Sequence, residues 1–201
     1  KTEMVEFMPE DGTLFLNADD DLLASYECRQ ERVLYGLEPN ADVRAENINY
    51  DGLRGMSCDI VSGQRRIRVY IPAYGKHMVY AALEGAAVGL KLGLSDGEIA
   101  AGIANYETVG RRASISDTGF ITLVDDCYNA NPDSVMCGID SLSQSSGRKV
   151  CILGDMFEMG ENREDLHRKV GRYAADNGVS LLLCAGELSR NTCKAAKGIA
   201  S

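Results

Sequence analysis

The sequence predicts an α/β protein in two successive parts: a mixed sheet with helices, then a parallel sheet layered with helices. Two observations carry this. Ala41 to Arg68 alternates in a β-like way with glycines as punctuation, and at Gly75 the pattern switches to a long stretch rich in Ala, Leu and Val. After Arg112 the apolar pattern runs β, α, β, α, β, α. Such alternation implies parallel strands joined by right-handed crossovers.

Within the first part, Lys1 to Glu6 begins abruptly, as a cut inside a longer chain would. Gly12 to Asn17 reads as a short strand. Asp19, Asp20 and Asp21 follow and open a short helix, Leu22 to Tyr26, where acids suit the positive end of the helix dipole. The triplet reads as helix capping, with metal binding as the alternative. Arg32 to Gly36 is a second short strand. Ser62-Gly63-Gln64 fits a hairpin turn. Ile67, Val69 and Ile71 alternate with Arg66, Arg68 and Tyr70, so that strand has one wet face. No helix is expected between Glu31 and Pro72. His77 to Leu92 is a helix whose small residues allow close packing, and Gly93 stops it. Ser95, with Glu98 three residues on, forms a capping box for a helix running to about Asn105.

Glu107 to Arg112 is a polar hinge, which places the domain boundary at 1–108 and 109–201. Beyond it Phe120 to Val124 reads as a buried strand. Asn131 is placed as N-cap and Pro132 as the first residue of a helix to Leu142. Lys149 to Leu153 and Val179 to Cys184 are the next strands. Helices cover Arg163 to Asn177, stopped by Gly178, and Leu188 to Ala200. With only three parallel strands, this part too reads as cut short at Ser201.

Composition narrows the function. The chain has 201 residues, is 45% hydrophobic and carries a formal net charge of −9. A packed core is expected and disorder is not. The acidic balance demotes nucleic-acid binding, and an anionic ligand needs local positive groups. Seven cysteines show no C-x-x-C spacing. Cys58, Cys127, Cys137, Cys151 and Cys184, in or beside apolar stretches, read as small buried hydrophobes in a reducing cytosol. There is no signal peptide and no apolar run of membrane-spanning length, so a soluble protein without membrane insertion is expected.

The chemistry concentrates after Phe120 to Val124, where Asp125 and Asp126 end a strand and a polar turn leads to Pro132. In open α/β sheets ligands bind at such strand ends. Three readings stand for the paired acids: a cation or ribose ligand, a phosphoacceptor of the receiver type, or helix capping and solvation. A receiver also wants a lone aspartate at the end of its third strand and a distal lysine; the third strand here ends Cys184-Ala185-Gly186, which counts against that reading. Gly154 to Gly160 carries two acids between glycines but lacks the Gly-Lys-Ser/Thr ending of a phosphate loop. His77 and His167 are isolated histidines, for which a structural role is the commoner one. Arg111, at the hinge, can grip a phosphate or serve as a solvated linker charge.

Taken together, these residues resemble the Mur ligases. Val124-Asp125-Asp126-Cys127-Tyr128-Asn129-Ala130-Asn131-Pro132-Asp133-Ser134 is similar to that family's Asp-Asp-x-Tyr-Asn-Ala-Asn-Pro-x-Ser signature. It matches the type that adds D-alanyl-D-alanine to UDP-N-acetylmuramoyl-tripeptide. Leu153-Gly154-Asp155-Met156-x-Glu158-x-Gly160, with His167 and Gly171, resembles the next motif. Leu16-Asn17-Ala18-Asp19-Asp20, Gly75-x-His77, Leu92-Gly93-Leu94-Ser95 and Gly110-Arg111 fall in the family's order. The resemblance implies a cytoplasmic, ATP-dependent amide ligase of peptidoglycan synthesis. This chain would hold the later part of its central ATPase domain and the first part of its Rossmann-like C-terminal domain. It implies that Arg111 and Asp126 face the nucleotide, that Tyr128 and Asn129 lie in the same cleft, and that His77 belongs to the nucleotide site. Lys1 falls where the family has a carbamylated lysine that helps place Mg²⁺. Two departures stand out. No phosphate loop occurs in these residues, and the family's His-Asn-x-x-Asn helix start reads His77-Met78-Val79-Tyr80-Ala81. The apolar replacements motivate an alternative: a non-catalytic paralogue or scaffold that has lost nucleotide use.

Overall fold

The structure is a computed structural model and describes residues 2–108 and 114–197. It divides into two compact units, Lys1–Tyr106 and Glu107–Ser201.

The first unit is built on a five-stranded mixed sheet of order β1-β2-β3-β4-β5, formed by Thr13–Asn17, Glu31–Gly36, Val43–Tyr50, Met56–Ser62 and Arg65–Ile71. β1, β2 and β3 run parallel; β4 and β5 are antiparallel additions. The β4–β5 turn is the expected Gly63-Gln64, with Ser62 paired to Arg65. Alternation puts Val43, Ala45, Met56, Cys58, Ile60, Ile67, Val69 and Ile71 on one buried face. The opposite face carries a cross-strand ion network. Arg66 bridges Glu46 at 2.7 Å and Asp59 at 3.2 Å, and Arg68 reaches Asp59 at 3.0 Å.

Helix α2 (His77–Lys91) covers the apolar face through Val79, Ala82, Leu83, Ala86 and Ala87, an i, i+3, i+4 stripe. It packs on α3 (Asp96–Ala104), where a Cβ on Gly89 would stand 3.1 Å from Ile99 Cγ1. Ser95 forms the predicted capping box with Glu98. The short α1 (Asp21–Ala24) is capped by Asp20, whose carboxylate accepts from the Leu22 and Leu23 amides. A 3₁₀ helix, Thr2–Phe7, precedes β1.

The second unit departs from the expected three parallel strands. β8 (Val150–Gly154) and β9 (Leu181–Ala185) pair in parallel. β7 (Thr122–Asp125) instead pairs antiparallel with β6 (Ser114–Asp117), a strand the apolar pattern did not reveal. The expectation of a buried strand at Phe120 to Val124 is corrected. Phe120 is 97% exposed, and Ile121 and Leu123 are also exposed. The reason is turn chemistry. Asp117 Oδ1 accepts the Gly119 amide at 2.8 Å, and Thr118 N donates to Ile121 O at 3.0 Å. Phe120 and Ile121 therefore belong to a hairpin turn rather than to a strand.

Helices α4 (Pro132–Ser143), α5 (Arg163–Asp176) and α6 (Ser189–Ala195) enclose a separate core of Ile139, Cys151, Met156, Val170, Ala174, Val179 and Leu182. The last helix is shorter in the described residues than the predicted Leu188 to Ala200. Gly171 permits the α5–α6 crossing: a Cβ there would lie 2.0 Å from the Thr192 carbonyl oxygen.

Candidate functional site

In the second unit, two loops at the carboxyl ends of β7 and β8 carry the chemistry. The first runs from Asp125 to Asn131. Asp125 Oδ1 accepts the Cys127 amide at 3.3 Å. Asn131 caps α4: its side chain accepts from Ser134 N at 2.9 Å, and Ser134 Oγ accepts from Asn131 N at 3.1 Å. With Pro132 at the first helical position, this reciprocal box fixes where the loop ends. Between these anchors Asp126, Cys127, Tyr128 and Asn129 are presented to solvent. Burial of Cys127, expected from its apolar flank, is thus corrected. The strand before it is half-exposed and the residue sits in the loop. A carboxylate, a phenol and an amide side by side form a donor and acceptor set suited to a hydroxyl-rich or phosphorylated ligand.

The second loop, Gly154 to Asn162, is anchored by buried groups. Met156 is buried, and its amide donates to Nε2 of His167 at 3.0 Å. Nδ1 of the same ring donates to the Arg163 carbonyl at 2.7 Å. His167 therefore has the structural role, with its tautomer set by one acceptor and one donor. Asp155 reaches across to the start of α6 and accepts from Ser189 N at 2.7 Å and Glu187 N at 3.1 Å. Burial alone would raise its pKa. The amides of Ser189, Leu188 and Glu187 outweigh that and hold the carboxyl below its ordinary value. Phe157 is exposed, and Glu158 has φ 60, the left-handed region. Ala130 of the first loop and Met156 and Met159 of the second share one core cluster, so both loops rest on the same packed base.

In the first unit the residues of interest lie at the ends of β1 and β2 and the start of α2. Asp19 Oδ2 accepts from the Leu37 amide at 2.7 Å and from the Tyr80 hydroxyl at 2.8 Å, and Oδ1 accepts from Glu38 N at 3.2 Å. Burial and this carboxylate push Tyr80 up to about 12. Of the acidic triplet, then, only Asp20 caps through its side chain. Asp19 ties two strand ends to α2, a role whose partners are far away in sequence. Gly75 has φ +93, and a Cβ there would sit 2.6 Å from His77 Cε1. A side chain at position 75 would displace the imidazole from the helix start. Met78 and Ala81 line an apolar groove of about 260 Å³ between α2 and α3, with Ile99, Ile103 and Tyr106.

The predicted site residues thus fall in three groups. Asp126, Tyr128 and Asn129 stand together on one loop. His77 opens α2 in the other unit. Lys1 and Arg111 lie outside the described residues. Among the described residues no three His, Cys, Asp or Glu side chains cluster as a cation site. No helix among them is long and apolar enough to cross a membrane.

Residues 1–89 match the family model described as Mur ligase middle domain, and residues 110–200 match the Mur ligase, glutamate ligase domain. The chain belongs to the Mur ligase family. Mur ligase relatives include the UDP-N-acetylmuramoyl-tripeptide–D-alanyl-D-alanine ligase of Escherichia coli (strain K12). It is 32% identical over 194 residues, which cover 94% of this chain and 43% of that protein. The ligase of the same description from Mycobacterium tuberculosis H37Rv is 32% identical over 196 residues, covering 92% and 38%. The chain thus spans about two fifths of the length of these relatives. Among solved Mur ligase structures, MurF from Acinetobacter baumannii superposes with TM-score 0.90 at 24% identity, over 99% of this chain and 44% of that one. MurF from Thermotoga maritima in complex with ADP gives 0.73 at 18%, over 97% and 55%. These superpositions establish the shared α/β fold.

Proposed function

We propose that this chain is part of an ATP-dependent ligase that joins D-alanyl-D-alanine to UDP-N-acetylmuramoyl-tripeptide. The observation that carries the reading is the Asp125–Asn131 loop. Its Asp-Asp-Cys-Tyr-Asn-Ala-Asn-Pro signature is held at a strand end by the α4 capping box, in a chain that matches the family in both halves. Both relatives cited above carry that activity in their descriptions.

In this reading the tripeptide carboxylate is activated as an acyl phosphate, and the amine of the dipeptide displaces the phosphate to form the amide. Asp126 and Arg111 are assigned to contact the nucleotide, and Tyr128 and Asn129 to orient it. His77 is assigned to nucleotide binding as well. Lys1, as a carbamate, would supply an anionic ligand for Mg²⁺, and the ion's contribution there would be to neutralise phosphate charge. Such catalysis is largely positioning and electrostatics, so the burden falls on groups held in defined loops. The enzyme works in the cytoplasm, where its nucleotide substrates are found. The division at 1–108 and 109–201 separates part of the ATPase domain from part of the Rossmann-like domain. The scaffold alternative is not favoured, because the relatives cited are ligases.

The test is phosphate release by the full-length protein with ATP, Mg²⁺, the UDP-linked tripeptide and D-alanyl-D-alanine. Turnover should require both peptide substrates. Asp126→Ala should lower kcat/KM at least about tenfold, the size of 1.4 kcal/mol in the transition state, with the melting temperature unchanged because the side chain is exposed. Turnover that is unaffected by Asp126→Ala would sink the assignment of this loop.

A further inference from the structure

Helix α2 starts without a side-chain cap. Lys76, the residue before it, already has helical backbone angles, and its side chain makes no capping hydrogen bond. The first amides bond back locally, Met78 N to Gly75 O at 2.9 Å and Val79 N to Lys76 O at 3.1 Å. Such bonds shape the first turn but leave open where it stands over the sheet.

Tyr80, three residues into the helix, supplies a directional tie. Its hydroxyl donates to Asp19 Oδ2 at 2.8 Å. The same oxygen accepts the Leu37 amide at 2.7 Å, and Oδ1 accepts the Glu38 amide at 3.2 Å. Asp19 is itself held in place. Its amide donates to Asn17 Oδ1 at 3.0 Å, and the Ala18 amide donates to Tyr35 O at 2.8 Å. Gly36 leaves room for the carboxylate: a Cβ there would stand 2.7 Å from Asp19 Oδ1. One side chain thus joins the carboxyl ends of the parallel strands β1 and β2 to the start of α2. Apolar contacts between α2 and the sheet can slide, whereas three donors on one carboxylate fix a direction. His77 lies three residues before Tyr80, on the same side of the helix.

We infer that Asp19 and Tyr80 are positioning residues, a clamp that fixes where His77 stands relative to the ends of β1 and β2. Their service to catalysis rests on the reading above, in which His77 belongs to the nucleotide site. Both act through α2 rather than on the reacting atoms. Burial and the carboxylate raise the Tyr80 hydroxyl to about 12, so it remains a donor throughout the neutral range. Tyr80→Phe removes this one donor and keeps the ring, while Asp19 retains its two amides. Gly36→Ala disturbs the same carboxylate from the strand side, without touching α2.

His77 and His167 are the two histidines of the sequence, so the imidazole Cε1–H region of the NMR spectrum reads both in the 201-residue chain. His167, buried in the other unit, is the internal reference. Tyr80→Phe and Gly36→Ala should each shift the His77 resonance and leave that of His167 in place. Combining them should add little to either alone, because both break one link. In the full-length protein, Tyr80→Phe should raise KM for ATP about fivefold, the worth of one ordinary hydrogen bond. The kcat and the KM for D-alanyl-D-alanine should change less than about twofold. A residue that only stabilised the fold would reduce the active fraction, and so kcat, without moving KM. The inference fails if Tyr80→Phe leaves the His77 resonance unmoved, if the two substitutions act additively on it, or if an active Tyr80→Phe enzyme keeps its KM for ATP. A wild-type full-length protein that does not turn over ATP would instead overturn the function proposed above. The His77 resonance would then decide the clamp by itself.

Discussion

Glu158 holds a left-handed backbone conformation in an exposed loop, which costs a non-glycine residue about 1–2 kcal/mol. Glycine removes that penalty but gains freedom in the unfolded chain. Glu158→Gly should therefore stabilise the second unit by up to about 1 kcal/mol in urea titration. A loss of stability would mean the carboxylate makes contacts that outweigh the strain. Asp155 supplies a pH-dependent term. Its folded carboxyl lies below the ordinary value of 3.8 because amides hydrogen-bond the charged form more strongly than burial penalises it. Stability from a depressed acid is complete above the unfolded value and is lost as pH falls through the folded one. Asp155→Asn should therefore be destabilised relative to the native chain at pH 7. That difference should shrink as the pH drops below the ordinary carboxylate range. A gap that is independent of pH would show that the amides do not read the charge.

Among the elements, α5 and α6 cross so closely that only glycine fits at position 171. A Cβ would meet the Thr192 carbonyl at 2.0 Å, and backbone cannot yield as a side chain can. Gly171→Ala should cost about 1–3 kcal/mol, the range for overpacking, and thermal melting would measure it. The two capping boxes offer a milder comparison. Ser95→Ala and Asn131→Ala each remove one side-chain acceptor at a helix start and should cost about 1 kcal/mol apiece. The first should lower the unfolding midpoint of the first unit and the second that of the second unit. If Asn131→Ala also reduced ligase turnover in the full-length protein, the cap would be positioning Asp126 and Tyr128 as well as stabilising α4.

At the scale of the whole chain, each unit has its own core, one spanning Val43 to Ile99 and the other Ile139 to Ala196. The second unit also shows an apolar strand face: Val150, Ile152 and Leu183 are exposed where alternation turns them away from the helices. Contiguous exposed apolar surface promotes association. The 201-residue chain should therefore self-associate with rising concentration, and Ile152→Lys should shift it toward monomer in sedimentation. An unchanged distribution would show that this face drives no association.

Local rules made much of the architecture legible in the order of residues. The Ile67-Val69-Ile71 alternation, the Ser95–Glu98 box, the Asn131-Pro132 helix start and the ends of α2 and α5 all depend on neighbours within a few positions. Periodicity and capping chemistry encode such features directly. The signature around Asp126 was equally visible, because it is a contiguous stretch of unusual composition. Tertiary structure alone decided the rest. Whether the apolar residues before Asp125 were buried depended on which strand β7 paired with, and pairing partners leave no mark in the strand itself. Asp19 finds Tyr80 and the Leu37 amide, Asp155 finds the start of α6, and Gly171 meets Thr192. Each contact joins groups whose spacing follows no helical or strand period, so only the folded chain could bring them together.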